Sequence, residues 1–312
     1  MDEKIMKVIL FGKDGQLGRA FQALLSERFD AEQLLFLGRA ECDLTDTKKI
    51  EFALTQFEPK IIINAAAYTA VDQAEKDMEA ARSLNELAPA CMARYAAHNQ
   101  AQLLHFSTDY VFDGSKVGWY EESYAVNPLS VYGKTKLAGE RAIISAFGNQ
   151  QSEYGGYQIF RTSWVYGDGG NFIRTILKLA KERSQLRIIA DQFGVPTSAG
   201  WLADMSFALG SKPSDSGIYH AVPSGDTSWY GLAVLVIQSA LDLGVQLACK
   251  PEDIKPIPAT EYSLPAPRPA NSKMATDKLR LALGKAGQDY VFPEWQGQVK
   301  MYVQHLATQG LI

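Results

Sequence analysis

With 312 residues, the chain is long enough for two globular domains or one large α/β unit, at about 150 residues per domain. Hydrophobic residues make up 46% and charged residues 21%, with 25 Gly and 13 Pro spread along the length, which excludes a disordered or collagen-like chain. Basic residues number 31 against 35 acidic ones, so no global positive field recruits nucleic acid or an anionic membrane, and a bound phosphate needs local devices. Cys42, Cys91 and Cys249 are odd in number, far apart and without a CxxC, which indicates neither a disulfide framework nor a zinc site and fits a reducing cytoplasm. The segment Met1–Lys7 carries charges before a short apolar run, so export by a signal peptide is not expected. The apolar stretch Tyr230–Ala248 contains Gln238, Ser239, Asp242 and Gln246 and reads as a buried helix rather than a membrane span.

Continuously apolar runs are expected as strands at Lys7–Phe11, Leu34–Leu37, Ile61–Asn64, Leu103–Ser107 and Tyr157–Arg161, with a helix from about Leu17 after the first. The segments between them are long enough for crossover helices, so a Rossmann-like, doubly wound parallel sheet follows. After about Gly167 helical segments (Phe172–Arg183, Leu202–Leu209, Ser228–Leu243) mix with short strands, as expected for a smaller, mixed α/β C-terminal domain. The expected division is residues 1–167 for the parallel-sheet domain, with segments around 190–222 returning to it, and 168–312 mainly for the smaller one. Lys255–Pro269 holds five prolines and is expected as a surface loop, as is the polar stretch Asn149–Gly156.

The first strand runs into Gly12, Gly15 and Gly18 before a helix, where glycines permit positive φ and close approach of backbone to a pyrophosphate. A merely tight strand-to-helix turn is the other reading of a GxxGxxG spacing. At the end of the second strand stands Gly38-Arg39, and an arginine there can neutralise a 2′-phosphate, which favours NADPH over NADH; a solvent-facing arginine is the alternative. The third strand delivers Asn64 and three alanines, small enough for a flat ligand to cross the sheet edge. Ser107-Thr108-Asp109-Tyr110 closes the fourth strand, and Tyr132 and Lys136, four apart, share a face of the helix they open. A cation near a phenol lowers its pKa from about 10, which suits proton exchange. Asp72, Glu75 and Asp77 read as complements to a helix start and a solvated face rather than a metal cluster, and no metal is expected as structural. The four histidines lack ligand spacing, and Trp119, Trp201, Trp229 and Trp295 read as core or interface anchors.

The set GKDGQLG, NAAAYTAVDQAE, STDYVFDG, NPLSVYGKTKLAGE, FRTSWVYG, DQFGVPT and RPANSKM, in order over about residues 7 to 280, resembles the dTDP-4-dehydrorhamnose reductases of the extended short-chain dehydrogenase/reductase family. The resemblance implies Tyr132 as catalytic acid, Lys136 as its electrostatic partner and ribose ligand, and Thr108 as a tuning hydroxyl. It implies cofactor contacts at Gly15, Gln16 and Leu17, at Asp43 and Leu44, and at Ala67, Tyr68 and Thr69. It places Thr108, Asp109 and Trp164 toward the sugar, and Asn171 and Arg268 toward the nucleotide diphosphate. The implied reaction is NAD(P)H-dependent reduction of the C4 ketone of dTDP-4-dehydro-β-L-rhamnose to dTDP-β-L-rhamnose, with a homodimer and a loosely held Mg2+ left open. Two further readings keep the scaffold: a non-catalytic regulatory subunit, against which the Thr, Tyr and Lys set argues, and a sugar-nucleotide epimerase or dehydratase, which Asp109 keeps open.

Overall fold

A computed structural model describes residues 6–148, 155–212, 215–287 and 290–312. Runs without a polar interruption become the central strands: β1 (Val8–Phe11), β2 (Leu34–Leu37), β3 (Ile61–Asn64), β4 (Gln102–Thr108) and β5 (Gly156–Thr162). β1 and β3 are buried at every position, as apolar runs must be when helices cover both faces of a sheet. A sixth strand, Gly217–His220, pairs with β5, and the order is Gly217–His220, β5, β4, β3, β1, β2, all parallel.

Alternate side chains of one strand feed opposite cores. Val8 and Leu10 join Ile61, Ile63 and Leu104 against Phe21 and Leu25 of α1 (Gln16–Ser26) and Leu202 and Met205 of the helix Ala199–Gly210. Ile9 and Phe11 join Ile62 and Leu103 against Ile50 and Leu54 of α2 (Thr47–Phe57), Met92 of the helix Ala88–Asn99 and Ile143 of the helix Val131–Phe147. Each such side chain, removed from water, contributes about 1.5–3 kcal/mol before chain entropy is counted. The chain passes from β1 to β2 on one side and then back past β1 to β3 and onward on the other, and this reversal opens a crevice beyond the carboxyl ends of the strands.

A third core gathers Ile176 and Leu177 from the helix Phe172–Glu182, Val236 and Ile237 from Trp229–Asp242, and Val299 and Val303 from Trp295–Thr308. Beside it a two-stranded parallel pair joins Leu186–Ile189 to Ile254–Ile257. The start of the proline-rich stretch is thus strand rather than loop, with Pro256 opposite Ile188. Proline is admitted because each strand of a two-stranded pair keeps an unpaired side, where a missing N–H breaks no ladder bond. The loop expected at Asn149–Gly156 falls outside the described residues as far as residue 154, and Gly156 opens β5. No helix among the described residues is long and apolar enough to cross a membrane.

Candidate active site

The turn after β1 closes because three glycines do different things. Gly12 has φ +86°, and a Cβ on it would lie 2.6 Å from the Ala66 nitrogen; one on Gly18 would lie 2.0 Å from the Gly12 oxygen. Turn, helix and the segment after β3 therefore meet only where side chains are missing. A Cβ on Gly15 would touch nothing nearer than 3.5 Å, and no side chain caps α1 there, so the first N–H groups of the helix remain open to an anion. Gly12 and Lys13 both donate to the Leu37 carbonyl, at 2.8 and 3.2 Å, which ties the turn to the end of β2.

From this turn a groove of about 590 Å³ runs across the sheet edge. Its wall begins at Gly12, Gly15, Gln16 and Leu17, passes Arg39, Asp43 and Leu44, then Ala67, Tyr68 and Thr69, and ends at Tyr132 and Lys136. Gly18 stands behind it as a packing residue. The Gln16 side chain turns away from the groove: its Oε1 accepts the Gly167 N–H at 2.8 Å and the Asn171 amide at 3.2 Å. At the far end Arg39 is exposed, and the Thr45 N–H and hydroxyl hold the Asp43 carboxyl below its ordinary range, with the Arg39 charge helping. Glu41 is fixed by Lys13 at 2.6 Å and the Gly38 N–H at 2.9 Å.

The helix Val131–Phe147 carries both Tyr132 and Lys136, and its N-terminus is held twice. Ser130 Oγ accepts the Gly133 N–H at 3.2 Å, and Glu75 Oε1 accepts the Val131 N–H at 2.8 Å. The Tyr110 ring stands edge-on to Tyr132 at 5.5 Å. Burial pushes the Tyr132 phenol up to about 12; the Thr108 hydroxyl opposes that shift and the Asp109 charge adds to it. Burial, not the Lys136 cation, therefore governs the phenol, contrary to the lowering expected from the spacing. Lys136 is 1% exposed; its Nζ donates to the Phe106 carbonyl at 2.5 Å and lies 3.4 Å from His105 Nε2. Burial pulls this amine down to about 8 against the field of Glu140.

Thr108 and Asp109 are buried beside the phenol. Thr108 Oγ1 donates to Asp109 Oδ1 at 3.0 Å, and the Ser272 hydroxyl donates to Asp109 Oδ2 at 2.5 Å. Burial raises the Asp109 carboxyl to about 6 despite these donors. Trp164, with φ +46°, stacks on Trp229 at 3.6 Å between centroids. Asn171 caps the helix Phe172–Glu182 and gives its amide to Gln16, the Gly167 carbonyl and Tyr302 Oη, so its side chain joins segments together. Arg268 lies within the field of Tyr110 and makes a two-pronged bond to Asp72 at 3.1 and 2.7 Å.

Several residues at the site carried no local signal. Asp72 is the partner of Arg268, 196 residues away, and Glu75 caps the Tyr132 helix, so each acid is tied to a distant segment. Asn85 sits in a π-helical turn, Ser83–Leu87, where it exchanges hydrogen bonds with the Tyr68 backbone and donates to Thr135 at 3.1 Å. Among the described residues no group of three or more His, Cys, Asp or Glu side chains is placed to hold a metal ion.

The model of the RmlD substrate binding domain matches residues 6–308. The dTDP-4-dehydrorhamnose reductase of Escherichia coli K12 is 40% identical, covering 98% of this chain and 100% of its own length. That of Burkholderia thailandensis is 36% identical over 97% and 100%. Among solved structures, the dTDP-4-dehydrorhamnose reductase of Clostridium acetobutylicum superposes with a TM-score of 0.85 at 31% identity, covering 97% of this chain and all of that one. The reductase of Bacillus anthracis, in complex with NADP, gives 0.83 at 29% identity, with 96% and 99% covered. On these matches, which span the glycine turn, the groove and the Tyr132 helix alike, the chain belongs to the RmlD substrate binding domain family, the dTDP-4-dehydrorhamnose reductases.

Proposed function

We propose that the chain reduces the C4 ketone of dTDP-4-dehydro-β-L-rhamnose to dTDP-β-L-rhamnose with a nicotinamide dinucleotide, NADPH in preference to NADH. The observation that carries this reading is the convergence of Thr108, Tyr132 and Lys136 at one end of a groove whose other end opens on an uncapped helix N-terminus. The groove fits the dinucleotide: Gly15 leaves room for a diphosphate where the first N–H groups of α1 are open, and Ala67 keeps the middle of the wall low. A nicotinamide bound there supplies the hydride equivalent for the ketone carbon. The exposed Arg39 guanidinium supports the preference for NADPH, and a relative solved with NADP is in keeping with it.

The protein's own part is the proton. A phenol with a pKa near 12 is protonated throughout the physiological range, so Tyr132 stands ready as an acid rather than a base. Once it has given its proton to the sugar oxygen, the Lys136 ammonium one turn away stabilises the phenolate, and the Thr108 hydroxyl beside it favours the same charged form. We assign residues 1–167, with the return around 190–222, to the dinucleotide lobe and 168–312 mainly to the sugar-nucleotide lobe. We assign Trp164 to the sugar, and Asn171 and Arg268 to the nucleotide diphosphate, on the resemblance alone. Mixing the purified protein with NADPH and dTDP-4-dehydrorhamnose should deplete NADPH absorbance in step with ketone consumed. An epimerase, a dehydratase or a regulatory subunit would leave NADPH unconsumed, and that result would overturn the reading.

A further inference from the structure

Asn64 ends β3, and His105 is its register partner on β4. Both are buried, at 1% and 0% exposure, so water does not compete for their hydrogen bonds. Asn64 Oδ1 accepts the Ala66 N–H at 3.2 Å, which fixes the orientation of the amide and leaves Nδ2 facing His105 Nδ1 at 3.0 Å. Two N–H groups cannot bond each other, so Nδ1 offers its lone pair and a neutral imidazole carries its proton on Nε2. Nε2 lies 3.4 Å from Lys136 Nζ, whose other partner is the Phe106 carbonyl. An ammonium has three N–H groups and no lone pair to receive the Nε2–H; a neutral amine has one.

We infer that His105 is a positioning residue that sets the proton affinity of Lys136: the hydrogen bonds run one way, from Ala66 through Asn64 and His105, and end on an N–H that favours the amine over the ammonium. The inference rests on the reductase reading for its purpose and on the hydrogen-bond geometry for its content. Other charged groups pull differently. Glu140, one turn along the same helix, favours the ammonium, but its carboxylate is already held by Arg161 of β5 at 2.9 and 2.7 Å and by Ser107 of β4 at 2.5 Å. Tyr132 shares the same helix one turn earlier, and Asp109 acts on that phenol. In turnover the Lys136 ammonium passes a proton to the Tyr132 phenolate and becomes an amine. Its new lone pair accepts the His105 N–H until a proton is regained from solvent. His105 thus makes Lys136 a reversible donor rather than a fixed cation.

The full-length, unaltered protein tests this first. Long-range 1H–15N correlation spectra, with the His105 signals assigned by their loss in His105→Gln, should show a neutral ring protonated at Nε2 between pH 6 and 8. A proton on Nδ1, or an imidazolium, would overturn the inference, whatever the protein reduces. Kinetics test it second, by the alkaline limb of the kcat profile. His105→Phe removes the N–H that favours the amine, so the limb should move upward by on the order of one pH unit, with the Kd for NADPH within about twofold of the parent. His105→Gln restores a donor and should return the limb toward the parent position. A limb unmoved in a folded His105→Phe variant would overturn the inference; if that variant does not fold, the tautomer in the unaltered protein decides. The Nε2–H tautomer without any ketone reduction would uphold the hydrogen-bond direction and remove the reductase reading instead.

Discussion

Tyr132 is the residue on which the proposed chemistry depends, because among the described residues the site offers no comparable acid for the sugar oxygen: Asp109, at about 6, is ionised near neutrality, and the Lys136 ammonium, one N–H on the Phe106 carbonyl, serves the phenolate rather than the sugar. Tyr132→Phe keeps the ring against Tyr110 and removes the proton. Turnover is expected to fall by at least about 10²-fold, the contribution of a positioned acid, while NADPH binding measured by fluorescence titration changes little. Turnover within a fewfold of the parent would take Tyr132 out of the mechanism. Arg39 tests a different part of the same groove. It is exposed, so Arg39→Ala should leave stability unchanged and raise the Kd for NADPH much more than that for NADH, by about tenfold for a lost charge-assisted bond. Equal effects on the two dinucleotides would show that the guanidinium ignores the 2′-phosphate. The surroundings make the comparison informative: the Asp14 carboxylate lies so close to Gly38 that a Cβ there would meet it at 2.1 Å, and Glu41 is fixed nearby, so Arg39 works amid acids.

At the scale of elements, the helix Val131–Phe147 must hold its first turn still, since Tyr132 is its second residue. Glu75 does this from another segment, its carboxylate accepting the Val131 N–H at the positive end of the helix. Glu75→Ala should cost about 1–2 kcal/mol of stability in chemical denaturation and lower kcat more than it raises the KM for NADPH. A variant as stable and active as the parent would show that Ser130 alone suffices. The role of Glu75 also shows where sequence reading stops. The strands were legible because burial on both faces forces unbroken apolar runs: Leu34–Leu37 and Ile61–Asn64 are found at the expected bounds. Tyr132 and Lys136 were legible because four residues make one turn. The strand Gly217–His220 was not, since Gly-Ile-Tyr-His is too short and mixed to read as an apolar run, and β5 supplies its reason to form. Glu75 and Asp72 looked like surface acids because their partners lie 56 and 196 residues away in the chain, a distance that no local pattern reports.

For the whole molecule, two buried groups titrate with opposite effects on stability. Burial, with the Arg161 charge behind it, pulls His220 down to about 3; its Nδ1 contacts the Tyr120 carbonyl at 3.1 Å, and its ring stands edge-on to Phe112. Unfolding frees this histidine to bind a proton near its ordinary value of 6.5, so its stabilising share is complete above that pH and is lost as the pH falls toward about 3. The loss is on the order of 5 kcal/mol at about 1.36 kcal/mol per unit. Asp109 runs the other way. Its folded value, about 6, exceeds the ordinary 3.8, so it favours the fold most below 3.8 and loses that contribution as the pH rises through 6. Acidification from 6 to 4 therefore gains from Asp109 part of what it loses at His220, and the parent should hold its melting temperature nearly level there before falling steeply. Asp109→Asn removes the buried charge while keeping an acceptor for Ser272 or Thr108. It should melt higher than the parent at pH 7, by the equivalent of about 1–3 kcal/mol, and the advantage should vanish by about pH 4, where the parent's carboxyl is itself neutral. An advantage that persisted undiminished at pH 4 would mean that the carboxylate charge is not its source, and an Asn variant less stable than the parent at pH 7 would mean that Ser272 and Thr108 compensate that charge fully.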